Sequence, residues 1–181
     1  MSGRQNKVLL IGYGNPGRLD DGLGPALAEA LAALDLPGVT VESNYQLNIE
    51  DAAQAADFDV VIFADAHLNC PGAFVFEKIE PVAEVTFTTH SIEPPSLLAL
   101  TRDTFGVNPL GFCLGIRGYE FNNFGEWLSE GARHNLQRAL DFIVPLLKKA
   151  EPSQLINACL EFSQNDTLSC NGDLKCKMES M

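Results

Sequence analysis

The sequence predicts an α/β fold, a three-layer αβα sandwich around a largely parallel, twisted sheet of about five strands. Short runs of branched apolar residues alternate with stretches whose apolar residues recur every three or four positions, which indicates strands alternating with helices. Residues 60–64 (VVIFA) are apolar throughout, which is typical of a central strand that helices cover on both faces. Because alternating strands and helices imply parallel pairing, we expect a helical layer on each side of the sheet.

The first half of the chain is predicted to contain two strands, each followed by a helix. Residues 8–11 are branched and apolar, and residues 23–34 carry Ala and Leu at helical spacing. The Pro-Gly pair at residues 37–38 ends that helix. A short strand follows at residues 39–42, and residues 48–51 begin a second helix with acids in its first turn.

The second half of the chain is predicted to contain the central strand at residues 60–64, two further strands and two helices. Residues 73–79 alternate between apolar and polar, which indicates a strand nearer the edge of the sheet. A helix is expected near residues 95–104, and residues 112–116 form the last strand. Residues 125–149 are predicted to form one long helix, with Trp127 among its apolar positions.

We expect a single domain over residues 1–150 and a C-terminal tail over residues 151–181. A chain of 181 residues is long enough to bury one substantial core. The tail is rich in Ser, Asn, Cys and Lys and has little periodicity. We therefore expect it to be disordered apart from a short helix near residues 155–162.

Composition and charge restrict the classes of partner. A net charge of −12 argues against nucleic acid and against anionic membranes. No apolar run approaches the length of about 20 residues that spans a membrane, and the N-terminal residues lack the apolar core of a signal peptide. We expect a cytoplasmic monomer, and the odd, scattered set of five cysteines indicates reduced thiols.

A glycine-rich turn after the first strand leads into two adjacent acids, Asp20 and Asp21. One of the two is explained as an N-cap, because a helix start exposes unpaired N–H groups that a carboxylate can accept. A cap needs only one side chain, so the second carboxylate suggests a cation site or a proton-transfer role. The turn also fits the G-x-G-x-x-G dinucleotide pattern, but the acids would repel a pyrophosphate. A dinucleotide site also needs an acid that binds the ribose, and Glu42 is the candidate for it. Glu42 lies about 30 residues after the start of the glycine-rich turn instead of the ~20 expected.

Three side chains could form a functional site at the carboxyl edge of the sheet. Asp21 follows the first strand, Asp65 ends the central strand, and His90 lies on a polar stretch before a helix. Two carboxylates and one imidazole leave coordination positions open, as in functional metal sites, and this donor set suits Ni, Zn, Mn or Fe. The alternatives are a solvated strand-end acid and a surface histidine. His67 competes with His90, because in a continued strand it would share a face with Asp65.

With these residues in view, the sequence resembles the hydrogenase maturation proteases, endopeptidases that trim the large subunit of nickel–iron hydrogenases. The resemblance extends over about residues 7–150 and depends on residues 12–24, residues 60–66 and His90 with the helix after it. By resemblance, Asp21, Asp65 and His90 are both the metal ligands and the catalytic residues. Many members of that family carry Glu at the position of Asp21, which is one methylene shorter.

The resemblance implies an endopeptidase that recognises nickel in the immature large subunit and removes its C-terminal extension. The partner is then the large-subunit precursor, the nickel is presented by that substrate, and no organic cofactor is needed. The metal could activate the attacking water, or Asp21 or Asp65 could act as general base, as in an aspartyl protease. A noncatalytic, metal-sensing maturation chaperone is the main alternative, and a dinucleotide-binding enzyme is the weaker one.

Overall fold

A computed structural model describes residues 6–83 and 92–173 of the chain. The strands are β1 (Val8–Tyr13), β2 (Val39–Asn44), β3 (Val60–His67), β4 (Phe74–Ile79) and β5 (Leu110–Arg117). The helices are α1 (Leu23–Ala32), α2 (Glu50–Ala55), α3 (Pro94–Phe105), α4 (Glu130–Lys149) and α5 (Pro152–Asp173), and a 3-10 turn (Leu19–Gly22) precedes α1. Within these described ranges, no helix is both long enough and apolar enough to cross a membrane.

The strands form one sheet in the order β2-β1-β3-β5-β4. The neighbouring pairs among β2, β1, β3 and β5 are parallel, and β4 pairs antiparallel with β5. The predicted α/β class with a largely parallel sheet of five strands is therefore confirmed. β4 lies at the edge, as its alternating pattern predicted.

Alternation along the strands divides the core into two apolar clusters, one on each face of the sheet. Leu10 and Ile62 face the cluster that includes residues of α1 and α4. Leu9 and Val61, the preceding residue in each strand, face the cluster that includes residues of α2 and α3. Successive strand residues point to opposite faces, so fully apolar strands need helices on both sides. This arrangement is the predicted three-layer sandwich.

The start of α1 packs directly against the backbone of β1 and β3. A Cβ on Gly24 would lie 2.2 Å from the carbonyl oxygen of Tyr13 and 2.5 Å from that of Ala64. A Cβ on Gly12 would lie 2.1 Å from the carbonyl oxygen of Gly24. Only glycine permits this approach, which brings the acidic turn close to the carboxyl ends of both strands.

Replacing Gly24 by alanine should therefore lower the free energy of unfolding by about 3 kcal/mol, because the new methyl group overpacks fixed backbone atoms. Chemical denaturation measures the change. Gly72→Ala is the matched control, since the nearest atom to its added Cβ is 3.7 Å away. Equal stability of the two variants would contradict the close packing described here.

The long helix begins later than the sequence predicts. We expected it over residues 125–149, but α4 begins at Glu130. Ser129 caps it, with its Oγ accepting a hydrogen bond from the backbone N–H of Ala132 at 3.2 Å. The residues before Ser129 lie in a loop instead, and Trp127, expected among the helix's apolar positions, is 64% exposed.

Residues 174–181 of the C-terminal tail, which we expected to be disordered over residues 151–181, lie outside the described residues, and the part of the tail before them is helical. It forms α5, which is longer than the short helix expected near residues 155–162. Leu155 is fully buried, and the ring centroid of Phe162 lies 5.1 Å from that of Phe74 on β4. The first half of α5 thus packs on the α1–α4 side of the sheet together with the rest of that layer.

Candidate active site

The strand order reverses between β1 and β3, because the chain passes from β1 to β2 on one side of β1 and later places β3 on its other side. Ligands of such sheets bind beyond the carboxyl ends of the strands at this switch point. Gly12 of β1 pairs with Ala64 of β3. Asp65 therefore lies at the carboxyl end of the pair, and Asp21 reaches the same region from the turn after β1.

Asp65 is a half-buried carboxylate with several close neighbours. It accepts a hydrogen bond from the backbone N–H of Ala66 at 2.7 Å and one from the Tyr13 hydroxyl. The pKa of Asp65 is raised to about 6, because burial, together with the negative charges of Asp21 and Glu93, outweighs the lowering effect of these two hydrogen bonds. The structure thus brings together two of the predicted site residues, Asp21 and Asp65, which interact electrostatically.

Asp21 is held by the glycine-rich turn. Its Oδ2 accepts a hydrogen bond from the backbone N–H of Asn15 at 3.0 Å. Gly14 has a φ of 136°, and a Cβ there would lie 2.1 Å from the carbonyl oxygen of Asp21. Glycine is required at this position on both counts. The turn therefore folds back over Asp21 and leaves its side chain partly exposed at the edge of the sheet.

The neighbouring acid, Asp20, has a different environment. It is fully buried, and its carboxylate accepts hydrogen bonds from the backbone N–H groups of Tyr119 (2.8 Å), Glu120 (2.9 Å) and Ser129 (2.7 Å). The Ser129 hydroxyl donates a fourth at 2.8 Å. Burial alone would raise the pKa of Asp20, but these hydrogen bonds together hold it below its ordinary value.

Neither acid is an N-cap, which corrects one of the two explanations that the sequence left open. In the described part of the chain, no side chain caps the 3-10 turn or α1. Asp20 instead joins the turn after β1 to the loop between β5 and α4. The two adjacent carboxylates therefore have different environments: Asp20 is buried and joins two loops, and Asp21 is partly exposed near Asp65 at the candidate site.

The predicted imidazole cannot be placed in the same way, because His90 lies outside the described residues. The competing His67 is the last residue of β3, which extends two residues beyond the predicted end at Asp65. Asp65 and His67 are therefore two positions apart on one strand and lie on the same face of the sheet. His67 is exposed, and its Nδ1 accepts a hydrogen bond from the backbone N–H of Asn69 at 3.2 Å. Among residues 6–83 and 92–173, no group of three His, Cys, Asp or Glu residues is arranged to hold a metal ion.

Sequence reasoning missed Tyr13, whose ring packs against the α2–α3 cluster. Burial raises its pKa far above the ordinary value, and the charge of Asp65 adds to the effect. The phenol therefore stays protonated and can donate to Asp65. The thiol of Cys113 also belongs to this neighbourhood, and burial, with Glu77 and Asp65, raises its pKa to about 12. The position of Tyr13 at the end of the first strand was the available signal.

The other polar residues around the glycine-rich turn and β2 mostly hold loops. Asn15 donates a side-chain hydrogen bond to the Tyr45 hydroxyl, and Asn44 donates to Asp51 at 3.1 Å. Glu42, the candidate ribose ligand, accepts a hydrogen bond from Gln54 at 2.9 Å. These contacts do not favour a dinucleotide site, because the acid that would bind the ribose is already engaged.

No protein-family model matches the sequence, and no curated protein matches it either. Solved structures do match. The [NiFe] hydrogenase maturation protease HycI from Thermococcus kodakarensis KOD1 has 23% identity and a TM-score of 0.63, with 81% of this chain and 95% of that chain covered. The hydrogenase-maturating endopeptidase HybD from E. coli has 21% identity and a TM-score of 0.63, with 80% and 93% covered.

A protein from Wolinella succinogenes matches with 28% identity and a TM-score of 0.55, over 78% of this chain and 96% of that one. The matches to HycI and HybD extend over nearly the whole of those proteins and leave about a fifth of this chain outside. Structural neighbours of the chain are hydrogenase maturation proteases, and it has their fold.

Proposed function

We propose that this chain is an endopeptidase that recognises nickel in the precursor of a nickel–iron hydrogenase large subunit and removes the precursor's C-terminal extension. One observation carries the proposal. Asp21 and Asp65 come from separate strand–loop units and meet at the switch point of the sheet, where the negative charge of Asp21 helps to raise the pKa of Asp65. Supporting it, solved structures with the same fold are hydrogenase maturation proteases or endopeptidases.

The proposed ligands for the substrate's nickel are Asp21, Asp65 and His90. Two carboxylates and an imidazole suit a divalent transition metal. Asp21 is partly exposed at the edge of the sheet, so a metal carried by a folded precursor can reach it. In this proposal the nickel belongs to the precursor, and the protein selects nickel-loaded precursors because only they present a metal that these three side chains can bind.

For the hydrolytic step, Asp65 has the properties of a general base. With a pKa of about 6 it is mostly ionised at neutral pH, and it is more basic than an ordinary aspartate. Asp65 takes one proton from a water molecule while the water oxygen forms a bond to the scissile carbonyl carbon. The same proton then passes to the amide nitrogen as the C–N bond breaks. The Tyr13 hydroxyl fixes the orientation of the Asp65 carboxylate throughout.

The test compares nickel-loaded with nickel-free precursor. Each is incubated with the purified protein, and both are followed by mass spectrometry of the intact precursor. We expect the loaded precursor alone to lose the mass of its C-terminal extension. Equal cleavage of the nickel-free precursor would contradict nickel recognition. Stable binding with no loss of mass would contradict the protease and favour the metal-sensing chaperone.

A further inference from the structure

A groove lies beside the acidic turn, against the start of α1. It encloses about 540 Å³, and its lining includes Gly22, the residue after Asp21. Pro16 and Pro25 contribute apolar walls, and Trp127 contributes an aromatic one. The groove is thus continuous with the turn that carries Asp21, the residue through which we propose that the precursor is recognised.

The loop that carries Trp127 is fixed to the rest of the groove. Gly125 donates a backbone hydrogen bond to Gly17 and accepts one from Leu19, both at 2.9 Å. The four hydrogen bonds to Asp20 hold the same loop on either side. A groove built in this way is formed before a ligand arrives, which reduces the entropy lost on binding.

The charge of the groove selects its occupant. Of the lining residues that the structure describes, the two charged ones are Glu29 and Glu126, and both are exposed. The indole of Trp127 is 64% exposed, and tryptophan is the side chain that best attracts a cation over its ring. Apolar walls, two carboxylates and one indole fit a peptide in which Lys or Arg alternates with apolar residues.

We infer that this groove binds a basic, apolar segment of the precursor next to the bond that is cut. The inference rests on the proposed function for the identity of the peptide. A segment that occupies the groove reaches Gly22 and therefore lies beside Asp21. Specificity for the precursor thus comes from this peptide segment as well as from the metal.

Binding is measured with blocked six-residue peptides that contain no metal and no scissile site. One alternates Leu with Arg, a second Leu with Glu, and a third Leu with Ser. Trp127 is the only tryptophan of the chain, so its fluorescence reports occupancy of the groove. We expect the arginine peptide to bind at least tenfold more tightly than the other two, and its affinity to fall as salt is added.

The double variant Glu29→Gln/Glu126→Gln should weaken binding of the arginine peptide at least tenfold. Its matched control is Glu50→Gln/Glu161→Gln, which removes the same charge from two exposed positions outside the groove lining. With loaded precursor, the groove variant should raise KM at least fivefold and leave kcat within twofold. Equal affinity for the three peptides, or unchanged affinity in the groove variant, would overturn the inference whether or not precursor is cleaved. The expected peptide binding in a protein that cleaves no precursor would support the groove and contradict the proposed function.

Discussion

Replacing Asp65 by asparagine should reduce cleavage of nickel-loaded precursor at least a thousandfold. The amide cannot accept the proton of the attacking water, and loss of a general base costs on the order of 10²–10⁴ in rate. The same substitution removes a proposed ligand for the substrate's nickel. Mass spectrometry of precursor at fixed times gives the rate. Asp57→Asn is the matched control, because Asp57 is exposed and lies just before the N-terminal end of β3, whereas Asp65 lies near the C-terminal end. It should cleave at the normal rate.

The loss of activity should come without loss of stability. The pKa of Asp65 is raised in the folded protein, so ionisation of this group lowers the stability as the pH rises from about 4 through 6. An uncharged asparagine avoids that penalty. At pH 7 the Asp65→Asn variant should therefore have a Tm equal to or above that of the parent. A variant that retained full activity, or that lost activity only because it unfolded, would contradict the role given to Asp65.

Replacing Asp20 by asparagine should lower the free energy of unfolding by about 3 kcal/mol. One carboxylate oxygen becomes an NH₂ group that faces buried backbone N–H donors, and each buried group left without a partner costs about 1–3 kcal/mol. For a chain of this size the Tm should fall by roughly 6–12 °C. Urea denaturation measures the change. Asp21→Asn is the adjacent control and should change stability by less than about 1 kcal/mol, since its amide oxygen can still accept from Asn15.

The effect of Asp20 should also depend on pH. Its pKa is lowered in the folded protein, so its stabilising contribution is complete above the ordinary aspartate pKa of about 3.9. The contribution is lost as the pH falls through the lower pKa of the folded state. The stability difference between the parent and Asp20→Asn should therefore narrow in strong acid. A difference that stayed constant down to pH 2 would show that the charge of Asp20 is not what holds the loop.

Local patterns were sufficient to predict the layers of the fold. The fully apolar residues 60–64 required cover on both faces, and the alternation in residues 73–79 predicted the edge position of β4. The convergence of Asp21 and Asp65 also followed from sequence, because parallel strands bring their carboxyl ends to one edge of a sheet. Their roles as nickel ligands, with His90 as the third, stay a prediction.

Contacts between distant residues could not be predicted in this way. The partners of Asp20 lie about a hundred residues further along the chain, so its role is invisible in the local pattern of residues 12–24. The true start of α4 depends on the same contact, since Ser129 both caps the helix and donates to Asp20. The end of β3 was placed too early, because the pairing of His67 with Arg117 extends the strand past its apolar run.

The packing of α5 affects whether copies of this molecule can associate through the edges of their sheets. β4 is the last strand of the sheet, and an uncovered last strand offers its backbone groups as a template for further strands. The backbone N–H of Lys78 on this strand instead donates to the Sγ of Cys159 at 3.1 Å. The final helix therefore shields the sheet from cross-molecular strand addition, and shortening the chain to residue 150 would expose a nucleus for aggregation.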